Sequence, residues 1–351
     1  MAATVSQARK CYHPAPLSNW IRTMPEQREI HLKSRPQGMP TADNFELVNS
    51  TLADPGDGEV LVHNRFMSVD PYMRGRMREA WPTGAVLMGG AVGEVVASNN
   101  EAFPVGCHVT HGFGWREYYL SDGRDLATVD ANLAPLSAYL GVMGMPGLTA
   151  YGGLLETGEL KDGESVFVSA ASGAVGSVVG QIAKIKGCTV VGSAGSDEKV
   201  AQLVEEFGFD HGFNYKTQDP LTELRKATPK GIDVYFENVG GKQLEAALTH
   251  MRPHGRIPIC GMIATYNDDG TPTPGPSNLT ETIYKFVTMR GFVVSAFEHL
   301  RGDFVRDMSD WIGSGRLKYH ETVVDGLENA PDAFMGLFSG ANNGKMLVKI
   351  S

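Results

Sequence analysis

The hydrophobic and polar positions of this chain fall into two textures. From about Ile30 to Val129, short alternating or apolar runs such as Glu59-Val-Leu-Val-His-Asn64 and Gly93-Glu-Val-Val-Ala-Ser98 are separated by Gly, Pro, Asp and Asn. Such runs between turn residues predict a β-rich, barrel-like region. After Leu136, strands alternate with helices: residues 166–169, a helix from Val175, residues 189–193, a helix over 198–207, then Val234-Tyr-Phe-Glu237. That alternation predicts a parallel doubly wound sheet. Two later strands, Gly255-Arg-Ile-Pro-Ile-Cys260 and Gly291-Phe-Val-Val-Ser295, flank a Pro/Gly-rich loop over residues 268–277, expected to overhang a site as a lid. The tail from Thr322, ending Lys345-Met-Leu-Val-Lys-Ile350, returns to strand character and is expected to rejoin the first domain.

The densest signal is Val166-Phe-Val-Ser-Ala-Ala-Ser-Gly-Ala-Val-Gly-Ser-Val-Val-Gly180, an apolar strand entering a glycine turn and then a small-residue helix. It reads as a dinucleotide-binding βα turn. Gly173 lets backbone amides approach a pyrophosphate, Gly176 lets the helix pack closely, and the helix N-terminus faces the phosphates. Ala171 replaces the first glycine of the usual pattern, and a plain tight strand–helix turn would look similar. About 20 residues further on, an acid would hold the ribose hydroxyls of NAD. The second strand instead exits through Ala194-Gly195-Ser196, with Lys199 following, so NADP is favoured over NAD. Lys199 would equally serve as one more solvated lysine at a helix start.

Composition narrows the partners. The 351 residues are 42% hydrophobic and 20% charged, enough for two domains with ordinary cores. A net charge of −9 disfavours nucleic acid and anionic membranes and suits a small-molecule ligand. Cys11, Cys107, Cys188 and Cys260 lack C-x-x-C spacing, arguing against a disulfide framework or zinc knuckle and for a reducing, cytoplasmic setting. No apolar run reaches membrane-spanning length. The first 23 residues carry Arg9, Lys10 and Arg22 without an acid, faintly like an organellar presequence; an upstream extension or disordered tail before Met24 is preferred.

Five ordered motifs carry a family resemblance: Val69-Asp-Pro-Tyr-Met-Arg74, Gly144-Met-Pro-Gly-Leu-Thr-Ala-Tyr151, Ala170-Ala-Ser-Gly-Ala-Val-Gly176, Glu237-Asn-Val-Gly-Gly241 and Gly326-Leu-Glu-Asn-Ala-Pro331. Over residues 28–351 the chain resembles the zinc-independent double-bond reductases of the medium-chain dehydrogenase/reductase superfamily, which include leukotriene B4 dehydrogenase/prostaglandin reductases, plant alkenal reductases and bacterial curcumin reductases. The resemblance implies an α/β fold in which a Rossmann-type doubly wound parallel sheet domain, residues 143–317, is inserted in a GroES-like β-barrel-type domain, residues 28–142 plus 318–351. Residues 1–27 are left as an N-terminal extension, disordered or upstream of the working start. Where zinc-dependent relatives carry metal ligands, this chain has Arg65-Phe-Met-Ser-Val-Asp-Pro-Tyr72 and Met88-Gly-Gly-Ala-Val-Gly93, so no metal is expected. His108 and His111 have suggestive spacing but no partner cluster. Without a Lewis acid, hydride delivery to an already polarised C=C is easier than alcohol oxidation.

The resemblance also implies site residues. Gly173, Ala174, Val175 and Gly176 would hold the pyrophosphate of NADPH, Lys199 and Tyr215 its 2′-phosphate, and Asn238 a further part of the nucleotide. Cys260, Gly261, Met262, Ile263, Ala264, Thr265 and Tyr266, with Phe292, Val293 and Val294, would line the nicotinamide half, completed by Asn342. The expected substrate is a small hydrophobic enone or enal. Tyr266 is the candidate hydrogen-bond donor to its carbonyl, and Tyr72 lines the substrate pocket. Asp70 and Arg74 are expected to fix the Tyr72 loop by pairing, Met145 and Thr149 to pack at the domain junction, and Trp81 and Trp115 to shape the pocket. Other roles stay open at this stage: a strand-end tyrosine for Tyr215, a turn residue for Asn238, a tyrosine packed on the lid for Tyr266. Quinone reduction and a non-catalytic NADPH-binding role are the alternatives to alkene reduction. A homodimer is expected, pairing through the 291–295 strand as an exposed edge.

Overall fold

The computed structural model describes residues 26–271 and 273–350. The extension expected over 1–27 lies outside the described residues, except that Glu26 and Gln27 already belong to the first strand.

The first texture folds as read. β1 (Glu26–Leu32) pairs antiparallel with β2 (Phe45–Thr51). β3 (Val60–Ser68) leads into the short helix α1 (Met73–Arg76), followed by β4 (Ala91–Ser98), β5 (His108–His111), β6 (Tyr118–Ser121) and β7 (Ala127–Thr128). Trp81 and Trp115 are packed into the core of this region with Phe45, Leu327 and Phe334, so neither lines a pocket as expected.

The second texture begins with α2 (Met145–Gly152) and then alternates: β8 (Ser165–Val168), α3 (Gly176–Ile185), β9 (Thr189–Ala194), α4 (Asp197–Glu205), β10 (His211–Asn214), α5 (Pro220–Ala227), β11 (Ile232–Phe236), α6 (Gly241–His250), β12 (Met251–Ile259), α7 (Glu281–Tyr284) and β13 (Thr288–Gly291). The strands form one parallel sheet in the order β10-β9-β8-β11-β12-β13. The chain therefore reverses direction across the sheet between β8 and β11, where a crevice opens at the carboxyl ends of the strands. Strand periodicity explains why β8 is apolar on both faces. Val166 and Val168 enter the core shared with α2 and α3, while Phe167 enters the one shared with α5 and α6. Each such burial stabilises by about 1.5–3 kcal/mol.

Two expectations shift. The edge strand is Thr288–Gly291 rather than 291–295, because Phe292 turns inward against Phe236 and Phe297 and the chain then coils into a 3-10 turn, Val294–Leu300. After α8 (Arg301–Gly313), the tail holds a helix as well as strands: β14 (Glu321–Asp325), α9 (Ala330–Ser339) and β15 (Lys345–Lys349). The tail does rejoin the first region. β15 pairs antiparallel with β3, Leu347 opposite Ser68, and completes a seven-stranded sheet ordered β14-β15-β3-β4-β5-β7, with β6 on β3. Cys188 and Cys260 are free, whereas Cys107 is disulfide-bonded, a pairing the scattered cysteine spacing did not announce. Among the described residues no helix is long and apolar enough to cross a membrane.

Phe209 is a wedge between α3 and β9. A Cβ at Gly180 would overlap its ring, and one at Gly192 would stand 2.7 Å from it. Gly180→Ala must therefore displace the ring, and a loss of about 1–3 kcal/mol is expected in denaturant titration.

Candidate active site

The crevice is built by backbone first. After β8 the chain turns through Ala170, which takes the left-handed conformation (φ 49°), and the Gly173 amide donates back to the Ala170 carbonyl at 3.0 Å. A Cβ at Gly176 would overlap that carbonyl, so only glycine lets α3 start this close. Among the described residues, the N–H groups of Ala174, Val175 and Gly176 have no backbone partner. Three unpaired amides at the start of a ten-residue helix form a cradle for an anion.

At the end of β9 a second anion-accepting corner forms. Ser196 caps α4 through the Lys199 amide, and the Asp197 carboxylate accepts from the Asn214 side chain. A Cβ at Gly195 would lie 3.2 Å from the Tyr215 hydroxyl and 3.4 Å from Lys216 Cε, so both side chains lean over this exit. Lys199 stands close enough to Lys216 to feel its charge; burial first, then Lys216, lowers the Lys199 pKa. Lys216 was passed over in the sequence, although it adjoins Tyr215 in the Phe213-Asn-Tyr-Lys216 motif.

The other half of the crevice lies beyond β11 and β12. Asn238 donates its backbone N–H to Ser169 Oγ (2.9 Å) and its side-chain amide to the Ser169 carbonyl (2.8 Å), closing β11 onto β8. The Cys260 and Gly261 amides donate to the Glu237 carbonyl, Ile263 to Asn238 and Ala264 to Val239, which winds residues 260–266 beside that crossing. Tyr266 Oη accepts the Met262 N–H at 3.3 Å. Its own proton is left for another partner, and burial raises its pKa further above 10.0. Because Ile259 pairs with Gly291, Phe292 to Val294 follow β13 at the same end of the sheet; Phe292 packs inward and Val293 is exposed.

Beneath this floor lies Glu237, fully buried. Its Oε1 accepts from Tyr235 (2.8 Å), Ser169 (3.2 Å) and the Val239 (2.5 Å) and Gly240 (2.8 Å) amides, while Oε2 has no partner among the described residues. Burial raises its pKa, and burial plus this carboxylate push the Cys260 thiol up to about 12. Cys260 is therefore no thiolate nucleophile.

The barrel half reaches the same place through α1. Tyr72, 43% exposed, opens that helix. Arg74 Nε donates to Asn267 Oδ1 at 3.2 Å and its Nη2 to the Pro36 and Gly38 carbonyls, while Arg78 donates to the Tyr266 carbonyl at 3.1 Å. The expected Asp70–Arg74 pairing is not formed. Asp70 instead accepts from Ser68 and from Lys345, whose ammonium also bonds the Val69 and Met346 carbonyls in a buried cluster. Nothing in the local sequence marked Lys345, since its partner lies 275 positions away. Met145 and Thr149 sit together on α2, the Thr149 hydroxyl donating to the Met145 carbonyl.

Packing around the Met88–Gly93 stretch is tight at Gly89 and ordinary at Gly90, where a Cβ would stand 3.5 Å from Leu140. A Cβ at Gly89 would stand 2.6 Å from Met73 Cε and 3.1 Å from Trp115 Nε1. His111 is a core histidine: Asn64 Oδ1 meets Nε2 at 2.9 Å, the Phe113 amide donates to Nδ1, and burial lowers its pKa to about 4. Among the described residues no three His, Cys, Asp or Glu side chains group as a metal site.

Comparison with known proteins gives the same frame. The family described as N-terminal domain of oxidoreductase matches residues 28–129, and the one described as zinc-binding dehydrogenase matches 174–312. Prostaglandin reductase 1 of Sus scrofa is 49% identical over 323 residues, covering 91% of this chain and 97% of that protein. The NADP-dependent 2-alkenal reductase of Nicotiana tabacum is 44% identical, covering 92% and 97%. The crystal structure of CurA in complex with NADPH from Vibrio vulnificus superposes with a TM-score of 0.87 at 44% identity, covering 92% of this chain and 99% of that one.

Lys345→Met would strand the Asp70 carboxylate in the buried cluster. A loss of about 3–5 kcal/mol is expected in denaturant unfolding, and a loss within error would mean that water replaces the ammonium.

Proposed function

Because the chain belongs to the zinc-independent double-bond reductases of the medium-chain dehydrogenase/reductase superfamily, we propose that it reduces the C=C bond of α,β-unsaturated ketones and aldehydes with NADPH. The observation that supports this reading is the Tyr266 hydroxyl, which accepts the Met262 N–H and so keeps its own proton to donate.

The residues fit the cofactor. The unpaired amides of Ala174 to Gly176 suit a pyrophosphate, and Lys199, Lys216 and Tyr215 suit a 2′-phosphate at a strand end, Ala194-Gly195-Ser196, that lacks the ribose-binding acid, the Asp197 carboxylate being taken by Asn214. Asn238, residues 260–266, Phe292 to Val294 and Asn342 would surround the nicotinamide half. When bound, NADPH supplies the hydride that reaches the substrate β-carbon. Charge then develops on the substrate carbonyl oxygen, and Tyr266 stabilises it with a hydroxyl that needs no change of protonation at neutral pH. A proton from water completes the α-carbon. Tyr72, at the mouth of α1, would flank the substrate, and the links of Arg74 and Arg78 to residues 265–267 keep the two walls in register.

Relatives named for prostaglandin and 2-alkenal reduction support this reading, and a small hydrophobic enone or enal is the substrate proposed here. The free thiols of Cys188 and Cys260 suit a reducing, cytoplasmic setting, whereas the Cys107 disulfide does not. A homodimer is supported by β13 as a free sheet edge flanked by the exposed side chains of Ile283, Tyr284, Phe286 and Val293. Light scattering giving the mass of one chain would end that part of the reading.

The test follows NADPH consumption with a linear 2-alkenal, an aryl enone, a 15-keto prostaglandin and a quinone. Enone-dependent turnover to the saturated ketone is expected, with kcat/KM about a hundredfold lower in Tyr266→Phe. Since burial raises the Tyr266 pKa, its hydroxyl stays protonated and imposes no fall in kcat below about pH 10. Turnover of the quinone alone, or an unaffected Tyr266→Phe variant, would overturn the assignment.

A further inference from the structure

Between α9 and β15 the chain runs as a strap across the mouth of the crevice. Gly340 ends α9 in the left-handed conformation (φ 75°), and residues 341–344 continue to Lys345. Ala341 bonds back to Gly336 and Asn343 bonds to Thr322, and three further contacts hold the strap to parts of the site that are far apart in sequence. The Lys199 ammonium donates to the Gly340 and Asn342 carbonyls, each at 2.7 Å. The Gly344 amide donates to the Ser172 carbonyl in the glycine turn at 2.9 Å. Lys345 then enters the buried cluster with Asp70, two residues before Tyr72.

An ammonium has three N–H donors. Two of those on Lys199 are spent on the strap and one remains, beside Lys216, at the exit where a 2′-phosphate would sit. We propose that Lys199 is a positioning residue as well as a phosphate ligand: it clasps the 340–345 strap, so the cation that reads the cofactor's phosphate also sets the segment carrying Asn342 and Lys345. The inference rests on the NADPH reading above for the phosphate, while the clasp itself stands on the two carbonyl contacts. Without the clasp the strap keeps its bonds at Ala341, Asn343, Gly344 and Lys345 but loses the cation that ties its α9 end to α4. Asn342 is then held only through its side-chain bond to the Gly344 carbonyl and through its bonded neighbours Ala341 and Asn343. A phosphate that draws on the third donor acts on a lysine already fixed in place, so binding requires little reorganisation.

NADH separates the two roles because it lacks the 2′-phosphate. A lysine that only reads phosphate has nothing to do with NADH, so its removal would change NADPH kinetics alone. A clasp acts with either cofactor. Lys199→Met is therefore expected to raise the KM for NADPH and also to lower kcat/KM for the enone at saturating NADH by about tenfold, through misplacement of the strap. In the cofactor-free protein, hydrogen exchange of the amides of residues 341–346 should be faster in Lys199→Met, with β8 and α3 unchanged. Lys199→Arg, which keeps the charge and the donors, should restore protection. Wild-type NADH kinetics together with wild-type exchange in Lys199→Met would overturn the clasp. Absence of NADPH preference in the wild-type protein would instead overturn the cofactor reading, and the exchange comparison would still decide the clasp.

Discussion

A protein that holds a dinucleotide must bring main chain, not side chains, up to the phosphates, and here this depends on the seating of Gly176 against the carbonyl of Ala170. The contact fixes where α3 begins. It leaves three amides unpaired at that start, and it aims the Ser172 carbonyl outward, where Gly344 takes it. The further path of α3 is set by Gly180 against Phe209, which also presses on Gly192 of β9. One backbone approach thus sets the sheet-to-helix distance, the anion cradle and the docking point of the strap. Larger residues at Gly176 would move all three together.

The rest of the site is joined by polar links between the two halves of the molecule. Arg74 of α1 and Arg78 just beyond it reach to residues 265–267, and Lys345 reaches from the tail to Asp70. A bond from one rigid element to another costs little ordering entropy when both ends are already packed, and α1 is anchored by buried Met73 in the barrel core. The floor beneath residues 260–266 is different, since it rests on a carboxylate. Glu237 gathers the turn Val239–Gly240 and the side chains of Ser169 and Tyr235 around one oxygen, which ties β8, β11 and the start of α6 at the switch point of the sheet.

Much of this was legible in the sequence because it is periodic or local. The strands of the parallel sheet are apolar on both faces, and the glycine turn and the empty acid position after β9 lie within one βαβ stretch. The edge strand lies at 288–291 and not 291–295, since Thr288-Met-Arg-Gly291 is half polar while the apolar Phe292 belongs to the core and not to the ladder. The 330–339 helix was hidden between two strand-like runs. Trp81 and Trp115 looked like loop aromatics until tertiary packing buried them. Asp70 was paired with the wrong cation because Arg74 is near in sequence, whereas Lys345 is near only in space. Side chains whose partners lie hundreds of positions away leave no periodic trace.

The pairing of β15 with β3 brings residues 347–349 against 66–68. Loop-closure entropy makes such a contact late and slow, and during synthesis from the N-terminus it is impossible until the final residues emerge. The parallel sheet, complete by Gly291, can assemble while the barrel still lacks the strand that lies between β14 and β3. Until then the 66–68 end of β3 presents an unpaired edge, with fully buried Met67 uncovered. Truncation of the last dozen residues would therefore leave a chain with a folded nucleotide half and an open, adhesive first half, a species for chaperones rather than a smaller enzyme.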